Sequence, residues 1–148
     1  MSERVGVRAA RAGDAPALAA LSTSLGYPAT AGEIEARLRV LERSDGDAVF
    51  VAVDDEDAPI GFVHVAARDE LVVAPCAKIE GLDVGEAFRR RGAATGLIEA
   101  VEAWAAARGL GVVMVRSRTE RAAAHAFYSS LGYEVDKRQT VFRKRLAA

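Results

Sequence analysis

The sequence has one cysteine and two histidines in 148 residues, a net charge near zero and no long apolar run. Each shortage closes a class of answers. A single Cys76 excludes an internal disulfide and fits a reducing compartment. His64 and His125 stand far apart and share no ligand spacing with that cysteine, so no metal is expected. A net charge of -1 gives no overall pull toward nucleic acid. No apolar stretch approaches membrane-spanning length, and the opening MSERVGVRAARAGD is charged throughout, without the apolar centre of a leader. These absences predict a cytoplasmic protein with neither a nucleic-acid nor a membrane partner. Internal repeats and low-complexity linkers are also missing, and the alanine richness is spread through helices, where alanine is the best former. With 51% hydrophobic and 28% charged residues, the chain suits one globular domain over 1–148.

The pattern of apolar residues gives an order of elements. VGVRAA, from Val5 to Ala10, reads as a short strand. Asp14 then can cap a helix that carries Leu18, Leu21 and Leu25 on one face and ends at Gly26. Thr30 and Glu33 have the spacing of a capping box, and Ile34, Leu38 and Leu41 follow on one face, predicting a second helix to about Arg43. AVFVAV and PIGFVHVAA, separated by DDEDA, read as an antiparallel hairpin, and a further strand covers Ala77 to Val84. From Gly92 the period becomes helical: Leu97, Ile98, Val101, Trp104 and Ala105 form a stripe, Glu99 and Glu102 face away, and Gly109 stops the helix. GVVMV has the continuous apolar character of a strand covered on both faces. A last helix from about Glu120 carries Ala124, Phe127, Tyr128 and Leu131 and stops at Gly132. A terminal strand pair is expected around Tyr133 to Val135 and Thr140 to Arg145. The order β-α-α-β-β-β-α-β-α-β-β demands mixed strand pairing and excludes a simple doubly wound sheet.

One stretch runs against helix electrostatics. RRRGAATGLIEAVEAWAAARG places Arg89, Arg90 and Arg91 at the start of a helix, where the positive pole of the macrodipole favours carboxylates instead. A strand, a turn and a helix N-terminus converge backbone N–H groups on an anion. Gly92, with the small Ala93 and Ala94, lets the backbone approach it, Thr95 can donate a hydroxyl, and the arginines can add charge-assisted bonds. Taken alone, such a motif is more often a solvated charge run.

Its surroundings resemble a known family. GLDVGEAFRRRGAATGLIEAVEAWAAARG is similar to the central motif of the GNAT superfamily of acyl-CoA-dependent N-acyltransferases, Arg/Gln-x-x-Gly-x-Gly/Ala at the start of a long helix, filled here by Arg89, Gly92 and Ala94. AAAHAFYSSLGYEV resembles the second signature, a helix bearing Phe-Tyr that ends in Leu-Gly-Tyr/Phe, and VRAARAGDAPALAAL and LGYPAT match a common bacterial branch. Two motifs in the right order, inside an element order read independently, form a specific combination. The sequence departs from the pattern in two places. Ala94 stands for the second glycine, and the asparagine often found before the last helix is absent, with Thr119 or Arg121 near that position.

The resemblance implies an α/β (α+β) fold with a mixed, mostly antiparallel sheet of six to seven strands and about four helices. It further implies that Arg89 to Thr95 cradle the pyrophosphate of acetyl-CoA, and that Leu82, Asp83 and Val84 offer backbone groups to the pantetheine arm. Phe127 is placed at the cofactor and Tyr128 beside the thioester sulfur, where a phenol with a reference pKa near 10 can protonate the departing thiolate; periodicity alone makes Tyr128 a core residue. Glu80 shares a face with Leu82 and Val84 by period two, an apolar setting in which burial would raise its pKa and suit it to deprotonate an ammonium. Against this, a strand carboxylate can pair with Lys78 or reach solvent. Cys76 has no activating partner spaced near it, so direct transfer is simpler than a thiol carrier. The expected activity is transfer of an acetyl group to an amine, with a small molecule preferred over a protein N-terminus or lysine. A CoA-binding module without turnover is the alternative from another class, and a homodimer is open.

Overall fold

The computed structural model describes residues 5–89, 91–116 and 122–147, in two compact units, Met1–Val115 and Arg116–Ala148. The first unit contains β1 (Gly6–Ala9), α1 (Ala15–Ser24), α2 (Ala31–Glu42), β2 (Asp47–Val53), β3 (Pro59–Ala67), β4 (Ala77–Val84), α3 (Ala93–Ala107) and β5 (Val113–Val115). Its sheet has the order β1-β2-β3-β4-β5; the first three pairings are antiparallel and β4–β5 is parallel. The second unit contains α4 (Ala122–Ser130).

The mixed, mostly antiparallel sheet and the four helices agree with the expectation, but the strand count does not. Among the described residues there are five strands, and residues 133–147 form none. Alternating apolar residues favour an extended chain, but a strand exists only when a neighbouring ladder takes up its N–H and C=O groups. Along this stretch Val135, Val141, Phe142 and Leu146 are exposed. GVVMV is shorter as a strand than its apolar run, three residues, each half-buried.

Local chemistry accounts for the helix boundaries. Glu33 N–H donates to Thr30 Oγ1 at 3.1 Å while Thr30 N–H donates to Glu33 Oε1 at 3.0 Å, the reciprocal box that starts α2. α1 and α3 end on Gly26 and Gly109, where Tyr27 and Leu110 N–H reach back to the carbonyls of Ser22 and Ala105. Asp14 precedes α1 as expected but does not cap it with its side chain. It accepts instead from Arg11 N–H at 2.9 Å and from both terminal nitrogens of Arg8 at 2.8 Å. A bidentate guanidinium is a stronger partner for a buried carboxylate than one helix N–H.

Apolar residues pack on both faces of the sheet. Ala15, Leu18 and Leu38 of α1 and α2 meet Val51 and Val53 of β2. On α3, Leu97, Ile98, Val101 and Ala105 are buried, while Trp104 is half-buried under the Arg108 guanidinium, 4.6 Å from its ring centroid. Glu99 and Glu102 face solvent, as the period requires. Among the described residues no helix is long and apolar enough to cross a membrane.

Candidate active site

β4 runs on past its parallel neighbour. Its pairing with β5 covers Ala77, Lys78 and Ile79 and stops there, whereas pairing with β3 continues to Val84. Along β3 the register jumps: His64 pairs with Gly81 and Val65 with Ile79, so Glu80 is the extra residue of a β-bulge. Beyond the bulge, Gly85 N–H donates to the Ile60 carbonyl at 2.8 Å. Antiparallel pairs alternate between bonded and non-bonded, so Val84 and Leu82 turn their N–H and C=O groups away from β3, toward the edge that β5 leaves uncovered. Gly61, opposite Val84, lets β3 lie close at this point; a Cβ there would sit 2.9 Å from the Asp83 carbonyl oxygen.

The turn to α3 follows directly. A 3-10 turn over Glu86–Phe88 closes with Phe88 N–H donating to the Gly85 carbonyl at 2.8 Å. Arg89 Nε lies 3.5 Å from the Val84 carbonyl, a long contact, and the Arg91 guanidinium lies over the Phe88 ring at 5.4 Å. Gly92 takes φ 80°, a left-handed conformation that glycine adopts without strain, and α3 begins at the next residue. The first turn of α3 carries no acidic residue, and glycine brings no side chain to cap it. The leading N–H groups, those of Ala93, Ala94 and Thr95 among them, therefore have no intrahelical partner and meet the positive end of the helix dipole beside exposed Arg89 and Arg91. This is chemistry suited to a diphosphate. Ala93 is buried and Ala94 and Thr95 are half-buried; Arg90, named with them from the sequence, lies outside the described residues, as do Thr119 and Arg121.

Leu82 is half-buried and Asp83 and Val84 are buried; by the same alternation Asp83, opposite Phe62, turns its N–H and C=O toward β3, so of the three only Leu82 and Val84 turn backbone groups to the other edge. Glu80 departs from its expected setting, because it is exposed. Period two holds only while the ladder is regular, and the bulge interrupts it at this residue. The burial argument for Glu80 as a tuned base falls away, and the carboxylate reaches solvent; Lys78 bonds instead to Glu70, at 2.7 Å. The signal for the bulge was Gly81, a glycine inside a strand pattern.

In the second unit, Tyr128 and Phe127 sit on α4, both half-buried, with ring centroids 5.3 Å apart at 61°. Burial pushes the Tyr128 hydroxyl pKa above its ordinary value, which keeps it protonated and able to donate.

His64 and Cys76 each have a side-chain partner within the first unit. His64 Nε2 lies 2.8 Å from Asp47 Oδ1, and the same carboxylate accepts from Ser44 Oγ at 2.6 Å and from Arg68 at 3.0 and 3.1 Å. That four-residue cluster was not foreseen, since it joins residues far apart in sequence. Cys76 is buried, with its thiol 3.6 Å from Met114 Sδ. No group of three metal-ligating side chains occurs among the described residues.

Known proteins are similar to this chain in sequence and in fold. The family model described as Acetyltransferase (GNAT) family matches residues 18–133. Aminoglycoside N(6')-acetyltransferase type 1 of Salmonella typhimurium is 32% identical over 107 residues, covering 70% of this chain and 73% of that one. The Serratia marcescens enzyme of the same name is 28% identical over 131 residues, covering 86% and 90%. Among solved structures, aminoglycoside N-acetyltransferase AAC(6')-Iy in complex with CoA superposes with a TM-score of 0.86 at 25% identity, covering 99% of this chain and 98% of its own.

Proposed function

Since the chain belongs to the acetyltransferase (GNAT) family and is an acetyl-CoA-dependent N-acetyltransferase, we propose that its acceptor is an amine on a small polycationic molecule of the aminoglycoside kind. Support for the acceptor class comes from similarity to aminoglycoside N(6')-acetyltransferases along 70% and 86% of the chain. We read 1–148 as one catalytic domain, because the family match at 18–133 runs through both compact units.

The observation that carries the assignment of parts is that, among the described residues, β4–β5 pairing ends at Ile79, so β5 covers no part of the β4 edge immediately before the arginine turn. Acetyl-CoA supplies an activated acyl group. In this reading Arg89 to Thr95 bind its diphosphate, and Leu82 and Val84, on either side of Asp83, offer backbone groups to the arm and to the carbonyl oxygen as negative charge develops there. Glu80, solvent-facing at the bulge, takes a proton from the incoming ammonium directly or through water. Tyr128, kept neutral by burial, donates a proton to the departing sulfur, and Phe127 packs at the cofactor.

A panel of amines followed by CoA release tests the acceptor. Turnover on aminoglycosides, absent on peptides with free N-termini or lysines, is the expected result. Turnover confined to peptides overturns the acceptor class. Tight CoA binding with no turnover on any amine favours a sensing module over an enzyme of this specificity.

A further inference from the structure

Phe88 lies between the open strand edge and the arginines without itself carrying polar chemistry. We propose that Phe88 is a positioning residue for the acetyl donor: its ring holds the Arg91 guanidinium in the direction from which it meets the diphosphate. This rests on the reading of Arg89 to Thr95 as the diphosphate cradle.

Three observations converge on it. The ring is anchored. Phe88 N–H bonds the Gly85 carbonyl at 2.8 Å, closing the 3-10 turn, and the half-buried side chain is seated against Gly85. A Cβ on Gly85 would come within 3.3 Å of Phe88 Cδ2, so the ring lies close against this glycine, whose other near neighbours are the Ile60 carbonyl oxygen of β3 and Leu21 Cδ2 of α1. The anchored ring carries charge: Arg91 Cζ lies 5.4 Å from the ring centroid, within the range in which a guanidinium is attracted to an aromatic face. Finally, Arg91 is exposed and long, and such a side chain surrenders much rotamer freedom when it closes on an anion. A fixed aromatic platform removes part of that freedom before the ligand arrives, which raises affinity by pre-organisation instead of by a new contact. Arg89 Nε is directed to the Val84 carbonyl, at a long 3.5 Å, and not to the Phe88 ring, so the effect of Phe88 should pass through Arg91.

The test is a calorimetric titration of CoA and of pantetheine, which lacks the diphosphate, into the wild type and the variants Phe88→Leu, Phe88→Tyr, Arg91→Ala and Phe88→Leu/Arg91→Ala. Phe88→Leu should weaken CoA binding by about three- to tenfold, the scale of an exposed cation–π contact with its ordering, while Phe88→Tyr restores it. Pantetheine affinity should stay unchanged, and Phe88→Leu should add nothing once Arg91 is gone. Melting curves verify folding, and Phe88→Met, which keeps bulk without a π face, replaces the leucine variant if that fails to fold. Undiminished CoA affinity in Arg91→Ala overturns the reading of the cradle. A loss in Arg91→Ala with none in Phe88→Leu, or a Phe88→Leu loss that persists without Arg91 or extends to pantetheine, overturns the role of Phe88.

Discussion

Tyr133 N–H donates to the Tyr128 carbonyl at 3.0 Å, and the two rings meet edge to face with centroids 5.8 Å apart at 66°. Gly132 between them takes φ 90°, and its N–H bonds the Ser129 carbonyl at 3.1 Å. The paired backbone bonds close α4, and the contact between the third residue from its end and the second beyond the cap completes the motif. The stop signal of the helix thus also orients the Tyr128 ring, so Leu-Gly-Tyr after Phe-Tyr is one mechanical unit.

Because that packing uses ring and backbone, Tyr128→Phe should leave the melting temperature nearly unchanged while removing the acid. The expected loss in kcat is roughly a hundredfold, typical of a general acid, with little change in CoA affinity. Steady-state kinetics with calorimetry check it. Equal turnover would reduce Tyr128 to a packing role.

Gly92 separates strain from chemistry. A Cβ there would meet nothing within 4 Å, but its φ of 80° disfavours any side chain. Gly92→Ala should therefore cost about 1–2 kcal/mol of stability, the left-handed penalty for one residue. Gly92→Glu should carry a similar folding cost and also abolish CoA binding, since it sets negative charge where the proposed reading places the diphosphate. Urea unfolding alongside CoA titration distinguishes the two; retained CoA affinity in the glutamate variant would place the cofactor elsewhere.

What could be read from the sequence, and what could not, divides by range. The Thr30–Glu33 box, the stops at Gly26, Gly109 and Gly132, and the apolar stripe of α3 depend on residues a few positions apart, and each appears in the structure as its local chemistry requires. The left-handed glycine before α3, Gly92, was legible for the same reason. Glu80 departs from its expected setting because its exposure is decided by the β3–β4 register, of which Gly81 is the one local trace within β4. The position of Asp14 predicts a cap, but its carboxylate is taken by Arg8 of β1, which also binds Asp57, 49 residues further along the chain. The terminal strand pair was expected from alternation alone, although pairing is what makes a strand.

The Asp47 cluster should contribute to acid sensitivity. Burial pulls this carboxyl upward, but hydrogen bonds from Ser44, His64 and Arg68 outweigh it and leave its pKa below the usual carboxylate range. A folded pKa below the unfolded one means stabilisation that is present above about pH 4 and is lost as pH falls through the folded value. Asp14, held down by Arg8 and Arg11 against burial, acts in the same direction. Arg68 is 57% exposed, so solvent screens its share. Asp47→Asn should cost about 1–3 kcal/mol at neutral pH, where polar donors lose a charged acceptor, and should cost progressively less toward pH 2. Urea midpoints across that range measure it; a difference independent of pH would assign the cost to packing.

Glu80 tests whether an exposed bulge residue can serve as the base. As a solvent-facing side chain it should tolerate Glu80→Gln with unchanged melting and CoA affinity, so any kinetic effect reports on proton transfer. If it takes the proton from the ammonium, kcat/KM rises with pH through a carboxylate ionisation, and the glutamine variant loses both rate and that ascending limb. If bulk water deprotonates the amine before binding, the limb follows the amine's own pKa and survives the substitution. Paired pH–rate profiles with two amines of different basicity separate these cases. The expected result is a limb common to both amines in the wild type and missing in Glu80→Gln; a limb that tracks the amine and ignores the mutation removes Glu80 from the mechanism and leaves water as the acceptor of the proton.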